Sequence, residues 1–444
     1  MRVTNAMLSN NMILGLNKNM GKLNTLYDQM NSLKKIQRPS DDPIILGRSL
    51  KLRLNVLETE QYTTNVSEAR SWMEISEASI KNTQAILNDI RYQCSQAANG
   101  TLEVDDRQKI MTTIEQLRKQ LIQEANANYA GRNVFGGYKT DKKVLFDKDQ
   151  VMDDPIKFEQ KFTKDDIETV SYREEKYYRV RLPYGDVKGT GFPPGLTVTS
   201  IKSDASPPPG PPIESYYHPE PGQAYFMEDT GELIIHEDNF AHVDGATIEY
   251  NKTNFKEGDP NPELFFDVKP PTPPATESIY TDPKPSQKIE YEVGIGTKLD
   301  INILGKDLFN PLSLRDIDEL VRVLESYDTV EEDIKGKEGQ EPTRNPKETI
   351  NLSKLFSGGM GKMDEALKTA SGQRADLGSR MQRLELTEKR LADDKVSYTE
   401  LLSRTEDVEL EQAFIDFNTQ YAVYQSALQA TSKVIMPTLM DFLR

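Results

Sequence analysis

The sequence predicts a mainly α-helical protein with an inserted β-rich domain: helical arms at both chain ends forming coiled-coil or helical-bundle layers, and a proline-rich β outer domain between them. Three observations carry this. Apolar residues recur at three- and four-residue spacing near both ends of the 444-residue chain, the pattern of a helix face or coiled-coil seam. Eighteen of the 25 prolines fall between Pro183 and Pro285, where they exclude long helices. The net charge of −16 is uneven, with 18 Lys/Arg against 14 Asp/Glu in residues 1–140, 19 against 32 in 141–310, and 18 against 25 in 311–444. A solvated, acidic projection accounts for the middle of the chain.

The first stripe runs Met12, Leu16, Met20, Leu23, Leu26, Tyr27, Met30, Leu33. Arg38-Pro39-Ser40-Asp41-Asp42-Pro43 breaks it, and Asp42-Pro43 reads as an N-cap followed by proline in the first helical turn. A second stripe follows at Val66, Ala69, Met73, Ile80, Leu87, Ile90, Cys94 and Ala97, closed by Asn99-Gly100-Thr101, with Gly100 suited to a left-handed cap. A third carries Ile110, Ile114, Leu117, Leu121 and Ala125 and exits through Gly131-Arg132-Asn133-Val134-Phe135-Gly136-Gly137-Tyr138.

The middle region holds Pro207-Pro208-Pro209-Gly210-Pro211-Pro212 and Pro270-Pro271-Thr272-Pro273-Pro274 as connectors. Between them, β-like runs lie at Tyr177–Leu182, Leu233–Ile235 and Lys288–Val293. Helix returns with Leu314, Ile317, Leu320, Val321 and Leu324; residues 328–350 read as a polar insertion. A long helix is expected from about 362 to 404, with Ala370, Leu377, Leu384, Leu391 and Tyr398 spaced by seven. The last stripe, Leu410, Phe414, Phe417, Tyr421, Tyr424, Leu428, Thr431, Ile435, has heptad spacing. The two arms must meet for either to bury its stripe.

Several function classes are disfavoured. No apolar run approaches the roughly 20 residues of a bilayer span, and the first residues lack the apolar core of a Sec-type signal. The acidic balance argues against nucleic-acid binding. Cys94 stands alone, which excludes a disulfide framework, and its place on a stripe makes it a small core residue. His218, His236 and His242 show no metal-ligand spacing, and Asp41-Asp42 is accounted for by capping. Gly189-Thr190-Gly191-Phe192-Pro193-Pro194-Gly195 has prolines where a phosphate-binding helix would start, and Gly294-Ile295-Gly296-Thr297-Lys298 lacks P-loop spacing. The expectation is a non-enzyme without metal or cofactor.

Several segments together resemble one family. Arg38-Pro39-Ser40-Asp41-Asp42-Pro43 resembles the N-terminal turn of bacterial flagellin-like axial proteins, and Asn99-Gly100-Thr101-Leu102 with Asp105-Asp106-Arg107 fits the same group. Asn128-Tyr129-Ala130-Gly131-Arg132-Asn133-Val134-Phe135-Gly136-Gly137-Tyr138-Lys139-Thr140 is similar to the helix exit of the hook-associated protein 3 (hook–filament junction) family, and residues 374–384, 424–430 and 440–443 match its C-terminal helices. The resemblance covers about residues 1–140 and 300–444. The long proline-rich middle and residues 328–350 depart from the family pattern.

The resemblance implies a secreted structural subunit of the flagellum, exported unfolded through the type III channel. It would form a ring of identical copies between hook-associated protein 1 and flagellin, with an export chaperone as a further partner. It also implies termini that are disordered in the free monomer and fold on assembly. The layers expected are a terminal coiled coil (1–43 and 405–444), a helical bundle (44–140 and 311–404) and the β outer domain (141–310). The assembly seam is assigned to Leu16, Met20, Leu23 and Met30 pairing with Phe414, Phe417, Tyr421, Tyr424 and Leu428, with Ile435 extending it. Alternatives are a flagellin-type filament subunit and a binding module built on the proline-rich loops.

Overall fold

Asp42 starts the second helix as its sequence position predicts: its Oδ1 accepts the backbone N–H groups of Ile44 at 2.9 Å and Ile45 at 3.0 Å, and Pro43 opens the helix where it has no N–H to leave unpaired. The computed structural model describes residues 5–36, 38, 40, 42–98, 104–172, 175–201, 219–269, 278–281, 285–322 and 352–440. Pro39, Asp41, Asn99-Gly100-Thr101, His218, Leu324, the two proline clusters, residues 328–350 and residues 441–443 lie outside these.

The fold is mainly α with a β-rich insertion. Its long helices are α1 (Asn5–Ser32), α2 (Pro43–Ala97), α3 (Val104–Ala125), α4 (311–322), α5 (Leu352–Glu406) and α6 (Leu410–Met440). By its internal contacts the chain divides into two units. One comprises Met1–Val66, Val293–Gly296 and Glu385–Arg444; the other comprises Ser67–Glu292 and Thr297–Leu384. Among the described residues no helix is long and apolar enough to cross a membrane.

In the first unit α1 packs on α6. The first helix ends at Ser32, ahead of the break expected at 38–43, because Leu33 turns left-handed at φ +58°. The chain then pairs with the segment after α5: Lys35 N–H donates to Glu406 O at 2.6 Å and Val408 N–H to Leu33 O at 3.0 Å. These bonds satisfy backbone groups that a helix end leaves open.

In the second unit α2 lies between α3 and α5. Ser79 Oγ donates to Glu124 O at 2.7 Å on one side; on the other, Arg374 donates to Gln84 at 3.3 Å and Glu77 at 3.1 Å. The second stripe, Ala69 through Ala97, is buried as its spacing predicts, and so are Ile110, Ile114, Leu121 and Ala125; Leu117 is half-buried. On α5 the seven-residue repeat is buried at Ala370, Leu377, Leu384 and, in the first unit, Leu391; it extends back to buried Met363 and ends at the half-buried Tyr398. The helix starts at Leu352, ten residues before the expected point.

Short strands β1 (Asn128–Tyr129) and β2 (Arg132–Asn133) precede the β region, β13 (Glu290–Gly294) and β14 (Thr297–Asp300) close it, and two five-stranded sheets make up the rest among the described residues. One has the order β11-β12-β3-β10-β6, from Asp267–Lys269, Ile279–Thr281, Gln150–Lys161, Thr247–Phe255 and Val187–Gly191. The other has the order β4-β5-β9-β8-β7, from Ile167–Tyr172, Glu175–Arg181, Glu232–Ile235, Gln223–Met227 and Thr197–Ile201. Three strands coincide with predicted runs (Glu175–Arg181, Glu232–Ile235 and Glu290–Gly294), whereas β3 and β10 escaped the sequence reading. Pro155 lies inside β3, and the ladder tolerates it because the register slips there: Lys252 pairs with Ile156 and Asn254 with Val151.

Buried charge joins this region to helices of the same unit. Arg179 donates to Glu319 through both Nη atoms at 2.9 Å, and Arg181 pairs with Asp316 at 2.7 Å. Lys362 of α5 lies 3.0 Å from Asp316. These cations hold the Glu319 carboxyl far below the usual carboxylate range despite its burial.

Candidate assembly interface

The arm formed by α1 and α6 uses one of two available heptads on each helix. On α1 the half-buried positions are Met12, Leu16, Asn19, Leu23, Leu26 and Met30; on α6 they are Phe417, Gln420, Tyr424, Ala427 and Thr431, with Ala413 buried. Both sets follow alternating steps of four and three, as a two-helix seam requires. Tyr27 and Phe417 meet with ring centroids 6.4 Å apart, and Phe417 stacks along its own helix on Tyr421 at 6.3 Å. A polar pair crosses the seam, where Gln420 Nε2 donates to Asn19 O at 3.4 Å.

The remaining heptad on each helix faces outward. Ile13, Met20 and Tyr27 are exposed on α1; on α6, Phe414 is 56% exposed, Tyr421 46% and Leu428 43%. Each outward residue follows an inward one by a single position, a rotation of about 100°. Of the assigned seam residues, Leu16, Leu23, Met30, Phe417 and Tyr424 therefore lie in the contact, while Met20, Phe414, Tyr421 and Leu428 lie outside it. The side chain of Ile435 is outside the described residues. On α6 the inward places alternate large rings (Phe417, Tyr424) with small or polar residues (Ala413, Gln420, Ala427), so large apolar residues fall on both faces. The same unit exposes Leu50, Leu54 and Leu57 at steps of four and three on α2.

The base of the arm is fixed by a charged node that the sequence did not signal. Glu406 Oε1 accepts from Arg53 Nε at 2.5 Å and from the Ser49 hydroxyl, and Oε2 accepts from Arg53 Nη2 at 2.7 Å. Lys34 Nζ lies 3.2 Å from Glu406 and 2.6 Å from Asp407. The Arg53 and Ser49 hydrogen bonds hold the Glu406 carboxyl down at about 2. Lys34, Ser49 and Arg53 are far from 406 in sequence, and only the folded corner gathers them.

The other candidates show structural roles. Burial pushes the Cys94 thiol up to about 12, the opposite of a nucleophile's requirement. His236 Nδ1 accepts the Asp238 N–H at 3.2 Å as a cap, and the His242 ring fills the space beside Gly195. Among the described residues no group of three His, Cys, Asp or Glu side chains is placed to hold a metal ion.

Comparison with known proteins follows the same division into arms and insertion. Residues 3–140 match the bacterial flagellin N-terminal helical region and residues 360–443 the bacterial flagellin C-terminal helical region. The chain is 30% identical over 142 residues to flagellar hook-associated protein 3 of Escherichia coli, covering 32% of this chain and 45% of that protein. It is 31% identical over 111 residues to flagellin FlaB1 of Treponema pallidum, covering 25% of this chain and 39% of that one. The chain thus spans less than half the length of these relatives. Among solved structures, the flagellar hook-associated protein 3 of Legionella pneumophila aligns with a TM-score of 0.36 at 13% identity, over 80% of this chain and 97% of that one.

Proposed function

Because this chain belongs to the flagellin family, whose N- and C-terminal helical regions together match half of its length, we propose that it is a structural subunit of the bacterial flagellum that joins hook to filament. It works as an adaptor and not as an enzyme, with hook-associated protein 1 below it, flagellin above it and identical copies beside it in a ring. It reaches that place by type III export, guarded by a flagellar export chaperone. Its layers are the terminal coiled coil (1–43 and 405–444), the helical bundle (44–140 and 311–404) and the β outer domain (141–310).

One observation carries the reading. The paired arm covers one heptad on each helix and leaves Phe414, Tyr421 and Leu428 of the other open to solvent. Burying each such side chain contributes roughly 1.5–3 kcal/mol, so this face gains most when neighbouring copies cover it. A repeating, non-self-matched contact of that kind builds a ring or a filament. The sequence similarity to a protein named for the hook-associated role favours the junction. The match to a flagellin favours a filament subunit as the second reading.

Seeded assembly separates the two. Purified chain is offered to hook-side ends and to flagellin fragments, followed by electron microscopy and sedimentation. A short added zone that then accepts flagellin is expected; long filaments of this chain alone would make it a filament subunit.

A further inference from the structure

Lys252 carries a primary amine into the aromatic core of the β region. Its side chain is 1% exposed, and Nζ lies 5.5 Å from the centre of the Tyr184 ring and 5.3 Å from that of Phe255. It donates to the Gly185 carbonyl at 2.6 Å. Facing it is the carboxyl of Asp259, with Oδ2 3.2 Å from Nζ and only 16% of the side chain exposed. The turn after β10 brings the two together: Gly258 takes φ +96°, Asp259 N–H donates to Lys256 O at 3.0 Å, and Tyr184 Oη donates to Pro260 O at 2.8 Å.

We propose that this pair is a self-modification site, at which the Lys252 amine condenses with the Asp259 carboxyl to form an intramolecular amide and release one water. A proton first crosses the contact from Nζ to the carboxylate, leaving a neutral amine and a neutral acid. The nitrogen lone pair then bonds to Cγ, one C–O bond breaks, and the departing hydroxyl takes a second proton from nitrogen. The nitrogen loses two hydrogens and the carboxyl loses one oxygen, so the step balances without oxidant, reductant or further reactant.

The surroundings favour each part of this step. Burial pushes the Lys252 amine down and the Asp259 carboxyl up, which brings the neutral, reactive pair within reach. The Lys256 backbone N–H donates to Asp259 Oδ2 at 2.9 Å, placed to stabilise negative charge that develops on that oxygen. Held contact replaces a bimolecular encounter, worth effective concentrations of roughly 10⁵–10⁸ M in well-oriented cases. A polar cavity of about 190 Å³ adjoins both residues. Among the described residues the buried Thr230 hydroxyl on its wall finds no hydrogen-bond partner, so the cavity can take up the released water. An ordinary buried ion pair would instead retain two charges with the cost of their desolvation.

Intact mass of the folded full-length chain is the test, followed by tandem mass spectrometry of a digest. The expected result is a chain one water lighter, with a branched peptide joining residues 252 and 259 that survives hydroxylamine. Lys252→Arg should restore the unmodified mass, while Asp259→Asn should still cross-link and lose ammonia in place of water. An unmodified mass in the folded wild-type chain overturns the proposal. So does a water lost only at a hydroxylamine-sensitive succinimide, such as one at Asp244-Gly245. Both readouts on the wild-type chain stand even if the variants fail to fold.

Discussion

Phe414 and Phe417 stand on adjacent turns of α6 yet have different surroundings: Phe417 is half-buried against Tyr27, whereas Phe414 is 56% exposed. Phe417 holds α1, whereas Phe414 faces outward.

The two residues therefore differ in how they respond to substitution. Phe417→Asp should loosen the α1–α6 pair by about 2–4 kcal/mol, read as faster amide exchange along both helices. Phe414→Asp should leave the isolated chain within about 0.5 kcal/mol of wild type and still block incorporation in seeded assembly. Equal effects of the two on the monomer would remove the distinction between an inner and an outer heptad.

The node at Glu406 predicts an acid-labile corner. Its carboxyl sits at about 2 when folded, below the ordinary carboxylate value of 4.5, held mainly by Arg53 and further by Ser49 and Lys34. Asp407 is also lowered, by Lys34 and Ser403. A depressed carboxylate stabilises fully above its unfolded value and loses that contribution as pH falls through its folded value. Protection of the Lys35 and Val408 amides should accordingly hold at neutral pH and fall between about pH 4.5 and 2. Glu406→Gln should show the weaker protection already at pH 7, and flatten the acid dependence.

How much of this was legible follows from where each partner comes from. The line Ala370, Leu377, Leu384, Leu391 could be read directly because one face of α5 is covered along its length. The arms were legible as helices that pair, but Phe414-Phe417-Tyr421-Tyr424 contains two overlapping heptads. Which one turns inward depends on α1, whose Asn19 takes Gln420 as partner. Strand β3 was hidden by Pro155, which reads as a loop until the bulge opposite Lys252–Asn254 is known. The Glu406 corner had no local pattern at all, since its three partners lie 353 or more residues away.

Gln420 and Asn19 give a register prediction. A polar pair in an otherwise apolar seam costs stability and rejects shifted alignments. Gln420→Leu should raise the stability of the arm by about 1 kcal/mol, seen as slower amide exchange in α6. The same variant should incorporate less completely in seeded assembly, because slipped arms present Phe414 and Tyr421 at the wrong height. Gain in both measurements would mean that Gln420 has no part in setting register.

Leu377 tests the helical body of the second unit. It is fully buried on α5 between Ala370 and Leu384, on the helix that Arg374 fastens to Glu77 and Gln84 of α2. Leu377→Ala removes three buried carbons and leaves a cavity that long, straight helices close poorly, so a loss of about 2–5 kcal/mol is expected. Leu386, on the same helix but 62% exposed, is the matched control, and Leu386→Ala should stay within about 0.5 kcal/mol. Calorimetry should show the main transition fall for Leu377→Ala alone. Amide exchange at Leu23 and Tyr424 should be unmoved, because the arm keeps its own seam within the first unit.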